Sequence, residues 1–119
     1  MKAIIRKVEL KNFTARDGRK FDQIQITCDV FMDEKNIRTR KASMSVDYAK
    51  KYFAHCGLSS ADLPGEVCDV TLRKRAYVTN EGEQRVIEEI RYLNMLDDEG
   101  KPIILKKEPE ANMPFWFNN

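Results

Sequence analysis

Residues 21–46, FDQIQITCDVFMDEKNIRTRKASMSV, decide the fold because they predict one long β-hairpin with two unlike faces. Apolar side chains occupy every second position of the first half, at Ile24, Ile26, Cys28, Val30 and Met32. This period of two is typical of a strand with one buried face. The segment DEKN at 33–36 supplies the turn, and the returning strand continues the buried face through Ala42, Met44 and Val46.

The opposite face of this hairpin combines polar side chains with aromatic and basic ones. Phe21 and Phe31 flank the alternate residues Gln23, Gln25, Thr27 and Asp29. The returning strand begins with a basic cluster, Arg38, Arg40 and Lys41. In proteins that bind single-stranded nucleic acid, aromatic rings stack on bases and cations follow the phosphates. The pattern therefore favours a nucleic-acid-binding sheet surface.

Periodicity and turn residues predict the other elements. Strands are expected at 2–13, 66–79 and 84–96, and a short edge strand at 103–105. In the first strand Ile4, Val8 and Leu10 share one face, while Ile5 breaks the alternation. The predicted core face of the fourth strand comprises Cys68, Val70, Leu72, Ala76 and Val78. The fifth strand alternates poorly, and Asp17-Gly18 and residues 80–83 supply hairpin turns.

One helix is predicted at residues 47–56, after the third strand. Its apolar stripe is formed by side chains spaced three or four apart, Ala49, Tyr52, Phe53 and Cys56. Ser45 or Asp47 can cap its amino end, and Gly57 stands where a helix stop belongs. His55 and Cys56 point to different helix faces, so we expect no metal site there.

Composition is that of an ordinary globular chain with a modest charge asymmetry. The 119 residues predict one domain, with 34% charged and 42% hydrophobic side chains and a formal net charge of +2. Residues 1–95 carry 18 basic and 14 acidic side chains, whereas residues 96–119 carry 3 and 5. A mildly basic body is compatible with a nucleic-acid partner without requiring one.

Targeting and redox signals predict a cytoplasmic protein. No apolar run approaches the roughly 20 residues of a membrane span, and the apolar stretch after Met1 is too short for a signal peptide. Three cysteines without close spacing argue against a disulfide framework. One histidine, no phosphate-binding glycine loop and no nucleophile motif indicate that the chain is not an enzyme and needs no cofactor.

The order of three strands, one helix and two strands resembles the oligonucleotide/oligosaccharide-binding (OB) fold, over about residues 2–96. This resemblance is architectural, because the fold has no sequence fingerprint. It implies an all-β, five-stranded barrel with one helix at residues 1–105, followed by a C-terminal tail at 106–119. Such barrels bind ligands over strands two and three, flanked by the loops after strands one and four.

Transferred to this chain, the resemblance implies a nucleic-acid-binding set. On the second strand it comprises Phe21, Gln23, Gln25, Thr27 and Phe31, and on the third Arg38, Arg40, Lys41 and Ser43. The flanking segments supply Arg16, Arg19 and Lys20, and then Arg73, Arg75 and Tyr77. Against this, basic clusters commonly protect sheet edges from aggregation, and one or two of Phe21, Phe31 and Tyr77 are expected to be ordinary packing.

Within the fold, the chain most resembles the small single-stranded DNA-binding proteins of phages and plasmids. This implies non-catalytic binding of single-stranded DNA with little sequence preference, in replication, recombination or protection of mobile-element DNA. Because one barrel is a small footprint, we expect a homodimer or larger homo-oligomer.

The end of the chain weakly resembles the partner-recruiting Asp-Ile-Pro-Phe tip of bacterial single-stranded DNA-binding proteins. Here the segment reads Asn112-Met113-Pro114-Phe115, lacks the acidic residue, and is followed by further residues. The aromatic cluster Phe115, Trp116 and Phe117 is predicted to bind protein: its own barrel, a neighbouring subunit or a partner. The alternative function is accordingly a small adaptor or phage-encoded inhibitor that acts through this tail or a sheet edge.

Overall fold

The computed structural model describes residues 1–104 and consists of a five-stranded antiparallel sheet with one α-helix. The strands are β1 (Lys2–Thr14), β2 (Lys20–Phe31), β3 (Ile37–Ser45), β4 (Val67–Val78) and β5 (Gln84–Met95). Helix α1 (Val46–His55) and a 3-10 turn (Ser60–Asp62) separate β3 from β4. These elements confirm the predicted order and class. The tail at 106–119 and its aromatic cluster lie outside the described residues.

The sheet has the strand order β3-β2-β1-β4-β5. β1 is central and pairs with β2 along its whole length, whereas it pairs with β4 only through residues 2–4. Within residues 1–104 no backbone ladder joins the two outer strands β3 and β5. The sheet is therefore not closed by hydrogen bonds.

A β-bulge in β1 corrects the predicted core face of that strand. Ile5 lies opposite Cys28 and Lys7 lies opposite Thr27, so Arg6 is an extra residue. An extra residue reverses the alternation of the side chains that follow it. Ala3 and Ile5 are consequently fully buried before the bulge, and Val8 returns to the core side after it. The prediction that Ile4 rather than Ile5 faces the core is wrong.

The second bulge explains the poor alternation of β5. Thr71 pairs with Tyr92 and Leu72 pairs with Ile90, which leaves Arg91 as the extra residue. Beyond this point the β4–β5 hairpin projects past the core. Ala76 is exposed and Val78 is 62% exposed, so their predicted burial is wrong.

Helix α1 begins and ends at the residues that local chemistry favours. The Ser45 side chain accepts a hydrogen bond from the Tyr48 N–H, which satisfies one of the free donors of the first turn. Gly57 follows with φ of +75°, a conformation that side chains disfavour. Ala49, Tyr52 and Phe53 are buried, and they confirm the predicted apolar stripe.

Tyr52 ties the helix to the end of the sheet. Its hydroxyl donates to the Ile103 carbonyl and accepts from the Met95 N–H, each at 2.7 Å. The Ile103 N–H donates in turn to the Met95 carbonyl at 2.7 Å. Residues 103 and 104 form no strand, which corrects the predicted edge strand over the part that is described. The chain thus leaves the described structure beside α1.

Candidate nucleic-acid interface

The face of the sheet opposite the core is called the outer face here. Because Ile26 and Cys28 are fully buried, Thr27 between them must point away from the core. The register of β1, β2 and β3 then assigns alternate residues to the outer face: Lys7, Glu9, Lys11 and Phe13; Phe21, Gln23, Gln25 and Thr27; and Lys41, Ser43 and Ser45. Aromatic, basic, amide and hydroxyl groups are therefore adjacent on one surface.

An aromatic pair stands at one end of the outer face. Phe13 and Phe21 lie opposite each other in the β1–β2 ladder, with ring centroids 5.6 Å apart and ring planes 19° from parallel. Phe13 is 37% exposed and Phe21 is 44% exposed. Sequence reasoning missed Phe13. Counting the pairing outward from the Asp17-Gly18 turn would have placed it beside Phe21.

The lysines of the outer face differ in whether a nearby carboxylate neutralises their charge. Lys7 and Lys11 both approach the Glu9 carboxylate, each at 3.3 Å. Partial burial is the largest single effect and acts to raise the pKa of Glu9, but the hydrogen bonds and positive charges of the two lysines together lower that pKa. Lys41 is exposed, directly opposite Thr27, and forms no ion pair with residues 1–104. Asp29, also on this face, is paired with Arg6 at 2.6 Å, so the outer face carries a net positive charge.

Arg38 and Arg40 lie on the other face of β3. They are opposite Val30 and Cys28, whose side chains point into the core. Both guanidinium groups reach Glu88 of β5, at 3.1 Å from Arg38 and 2.8 Å from Arg40. The structure thus separates these arginines from Phe21 and Lys41, and their charges link the two outer strands.

Glu88 is held ionised by this arrangement. Hydrogen bonds from Arg40 and then Arg38 lower the pKa of its carboxyl group, against a smaller opposing effect of burial. A carboxyl group with a lowered pKa in the folded state stabilises the fold above its unfolded pKa, about 4.3. That contribution is lost as the pH falls through the lower, folded-state pKa.

We therefore expect Glu88→Gln to be destabilised most at neutral pH. The difference in urea midpoint between the wild type and this variant should shrink in acid, where Glu88 of the wild type becomes protonated. Urea unfolding followed by circular dichroism at neutral and strongly acidic pH measures it. Glu83→Gln is the control, because among residues 1–104 Glu83 forms an ion pair only with Arg85, on the exposed hairpin end. A pH-independent difference would contradict the ion-pair assignment.

The basic cluster of β4 is partly neutralised by its neighbouring strand. Arg75 and Arg73 contact Glu89 of β5 at 2.5 Å and 3.4 Å, and the hydrogen bond from Arg75 is the main cause of the lowered pKa of Glu89. Tyr77 lies on the same face of the hairpin and is 41% exposed. These three predicted residues lie together, on a different hairpin from Phe21.

The remaining predicted residues lie at the two ends of β2. Arg16, Arg19 and Lys20 are exposed at the β1–β2 turn, where Arg19 pairs with Asp17 at 2.7 Å. Phe31 is half-buried at the far end of β2, opposite Ile37. Gln23 and Gln25 are half-buried on the outer face between these ends.

Within residues 1–104, no group of three or more His, Cys, Asp or Glu side chains is arranged to hold a metal ion. Cys28, Cys56 and Cys68 are free; a hydrogen bond with Cys28 and burial raise the pKa of the Cys68 thiol, and burial raises that of Cys56. Across this part of the chain, no helix has the length and apolar character needed to cross a membrane.

Comparison with protein families, with curated proteins and with solved structures finds no match for this chain. Function is therefore inferred from the side chains of the outer face and from the sheet that positions them.

Proposed function

We propose that this protein binds single-stranded DNA with little sequence preference, and that it acts by binding alone. The observation that carries the proposal is the exposed Phe13–Phe21 pair on the same surface as Lys7, Lys11 and Lys41. This combination offers stacking to bases and positive charge to phosphates, the two requirements of non-specific single-strand binding. The corresponding role is in replication, recombination or protection of mobile-element DNA.

The sheet supports an OB-type barrel as the framework of this site. Its outer strands β3 and β5 are bridged by Glu88 and two arginines, although no backbone ladder joins them in the part of the chain that the structure describes. In OB folds, nucleic acid crosses strands two and three between the loops that follow strands one and four. The outer face includes β2 and β3, and the β1–β2 turn lies at its Phe21 end.

Each part of the outer face has a distinct role in this proposal. One base stacked on Phe13 or Phe21 contributes roughly 1–3 kcal/mol. The lysines neutralise phosphates and release counterions, which gives affinity without sequence information. Gln23, Gln25 and Ser43 are able to donate and accept hydrogen bonds, so they can satisfy different base edges. Little sequence preference follows.

A second candidate function is protein binding by the β4–β5 hairpin, as an adaptor or phage-encoded inhibitor. The observation that favours it is a pair of exposed valines on one face of this projecting hairpin, Val78 (62%) and Val86 (68%). Adjacent exposed apolar groups on a surface mark interaction sites. The same surface suits the homodimer or larger homo-oligomer that we expect with either function.

Fluorescence anisotropy of a labelled single-stranded oligothymidylate tests the proposal. We expect sub-micromolar binding at low salt that weakens steeply at physiological salt, with a logarithmic slope of about −0.7 per phosphate neutralised. Duplex DNA of equal length should compete poorly, because its bases are not available for stacking. Absence of binding at low salt would contradict the proposal and favour the protein-binding function.

A further inference from the structure

An apolar groove of about 350 Å³ lies between helix α1, the 3-10 turn and the core side of β1 and β2. Its lining is mainly apolar, with Lys50 and two serines at the polar positions: Val8, Ile24, Val46, Ala49, Phe53, Leu58 and Leu63, with Lys50, Ser59 and Ser60. Leu10 is the next core-side residue of β1 after Val8, directly opposite Ile24, and is 60% exposed. The exposed side chain of Leu10 thus extends the apolar surface beside the groove.

The last described residues, 103 and 104, lie beside a neighbouring side of the same helix. Ile103 is held by Tyr52, which is adjacent in sequence to the groove residue Phe53. An α-helix with its side chains is about 10–12 Å across. The eleven peptide links from Ile104 to Phe115 span at most about 40 Å when the chain is extended. The aromatic cluster at 115–117 is therefore within reach of the groove.

We propose that the aromatic cluster Phe115, Trp116 and Phe117 docks in this groove of its own chain. The apolar lining suits aromatic rings, which gain most from burial. A buried tryptophan needs an acceptor for its indole N–H, and the hydroxyl groups of Ser59 and Ser60 line the groove. Lys50 at the same groove offers positive charge to Glu108 and Glu110, which precede the cluster.

Docking in the groove leaves the outer face free. The groove uses the core-side residues Val8 and Ile24, whereas the proposed DNA contacts come from the alternate residues on the opposite side of the same strands. Removing residues 108–119 is therefore expected to leave oligothymidylate affinity unchanged. The docking proposal and the DNA-binding proposal can fail independently.

Trp116 provides the direct readout, because it is the single tryptophan of the chain. In the full-length protein we expect its emission to be blue-shifted and protected from acrylamide quenching, relative to the urea-unfolded chain. Both properties should be independent of protein concentration. A fully quenchable Trp116 in the folded protein would overturn the proposal. Protection that is lost on dilution would overturn it as well, because the occupant would then be the tail of a second copy.

A groove-filling variant identifies the docking position. Ala54 is exposed on α1 and lines the groove, so Ala54→Phe should fill it and make Trp116 as quenchable as in the unfolded chain. Ala76→Phe makes the same change at an exposed position of β4 and should leave Trp116 protected. Circular dichroism confirms that each variant is folded. If Ala54→Phe does not fold, Ser60→Phe, at another exposed residue that lines the groove, replaces it. Continued protection in a folded groove variant would contradict this docking position.

Discussion

Replacing Phe21 and Lys41 together with alanine is expected to weaken the binding of single-stranded oligothymidylate by about tenfold or more. The loss of one stacking ring is worth roughly 1–3 kcal/mol, and each 1.4 kcal/mol corresponds to a tenfold change in affinity. Lys41 adds a phosphate contact, so the salt dependence should also become shallower. Anisotropy titrations at two salt concentrations measure both effects.

The matched control removes the same kinds of side chain from helix α1. Tyr48 is 44% exposed, as Phe21 is, and Lys51 is exposed on the same helix. The variant Tyr48→Ala with Lys51→Ala should retain wild-type affinity within about twofold, because it loses equal charge away from the outer face. Equal weakening in both variants would mean that binding depends on overall charge, and the outer face would lose its assignment.

The arginines of β3 provide a second contrast with Lys41. Arg38 and Arg40 form ion pairs with Glu88 on the core side of the strand. Their replacement is therefore expected to lower the stability of the fold more than the affinity for DNA. Replacing Arg40 should therefore destabilise the fold, whereas replacing its neighbour Lys41 should weaken DNA binding.

Replacing Tyr52 with phenylalanine is expected to lower the free energy of unfolding by about 1–3 kcal/mol. The ring would still pack, but the Met95 N–H would lose its acceptor, and the Ile103 carbonyl would lose its donor. A buried polar group left without a partner costs more than an average hydrogen bond contributes. Urea unfolding monitored by circular dichroism gives the free energy directly.

The pH dependence of stability in alkaline solution tests the role of Tyr52 independently. Burial is the main cause that raises the pKa of its hydroxyl group in the folded protein. The associated stability is fully present below the unfolded pKa of about 10 and is lost as the pH rises towards the folded value. The wild type should therefore lose stability above that pH more steeply than Tyr52→Phe.

Tyr48→Phe is the control for both measurements. Tyr48 is exposed and stacks on Tyr52, and its hydroxyl forms no hydrogen bond with the described residues 1–104. Its replacement should change the free energy of unfolding by less than about 0.5 kcal/mol. If Tyr52→Phe were equally mild, the two hydrogen bonds of Tyr52 would not stabilise the fold.

Alternation predicted the first four strands and the spacing of apolar residues predicted the helix, because burial of one face imposes a period of two or 3.6 residues. The fifth strand was predicted although it alternates poorly. It failed where a bulge changed that period, at Arg6 in β1 and Arg91 in β5. A bulge depends on how two strands pair, and a single strand's sequence does not specify this. Burial at the outer end of β4 also failed, because Val78 extends beyond the elements that would cover it.

The residues of the candidate site were predictable where alternation along a single strand places them on one face. Phe21, Gln23 and Gln25 share a face because they alternate, but the cluster Arg38, Arg40 and Lys41 is divided by the same rule between two faces. The partner of Arg38 and Arg40, Glu88, is about 50 residues away along the chain, and tertiary structure alone brings it near. Phe13 required the register of the β1–β2 pair.

The most direct test of the outer-face assignment is an amide chemical-shift titration of the ¹⁵N-labelled protein with oligothymidylate. The proposal predicts that the largest shifts occur at Phe13, Phe21, Gln25, Lys41 and Ser43, and at the side-chain amides of Gln23 and Gln25. Helix α1 should show small shifts. Large shifts confined to α1 or to the β4–β5 hairpin, with an unperturbed outer face, would contradict the account.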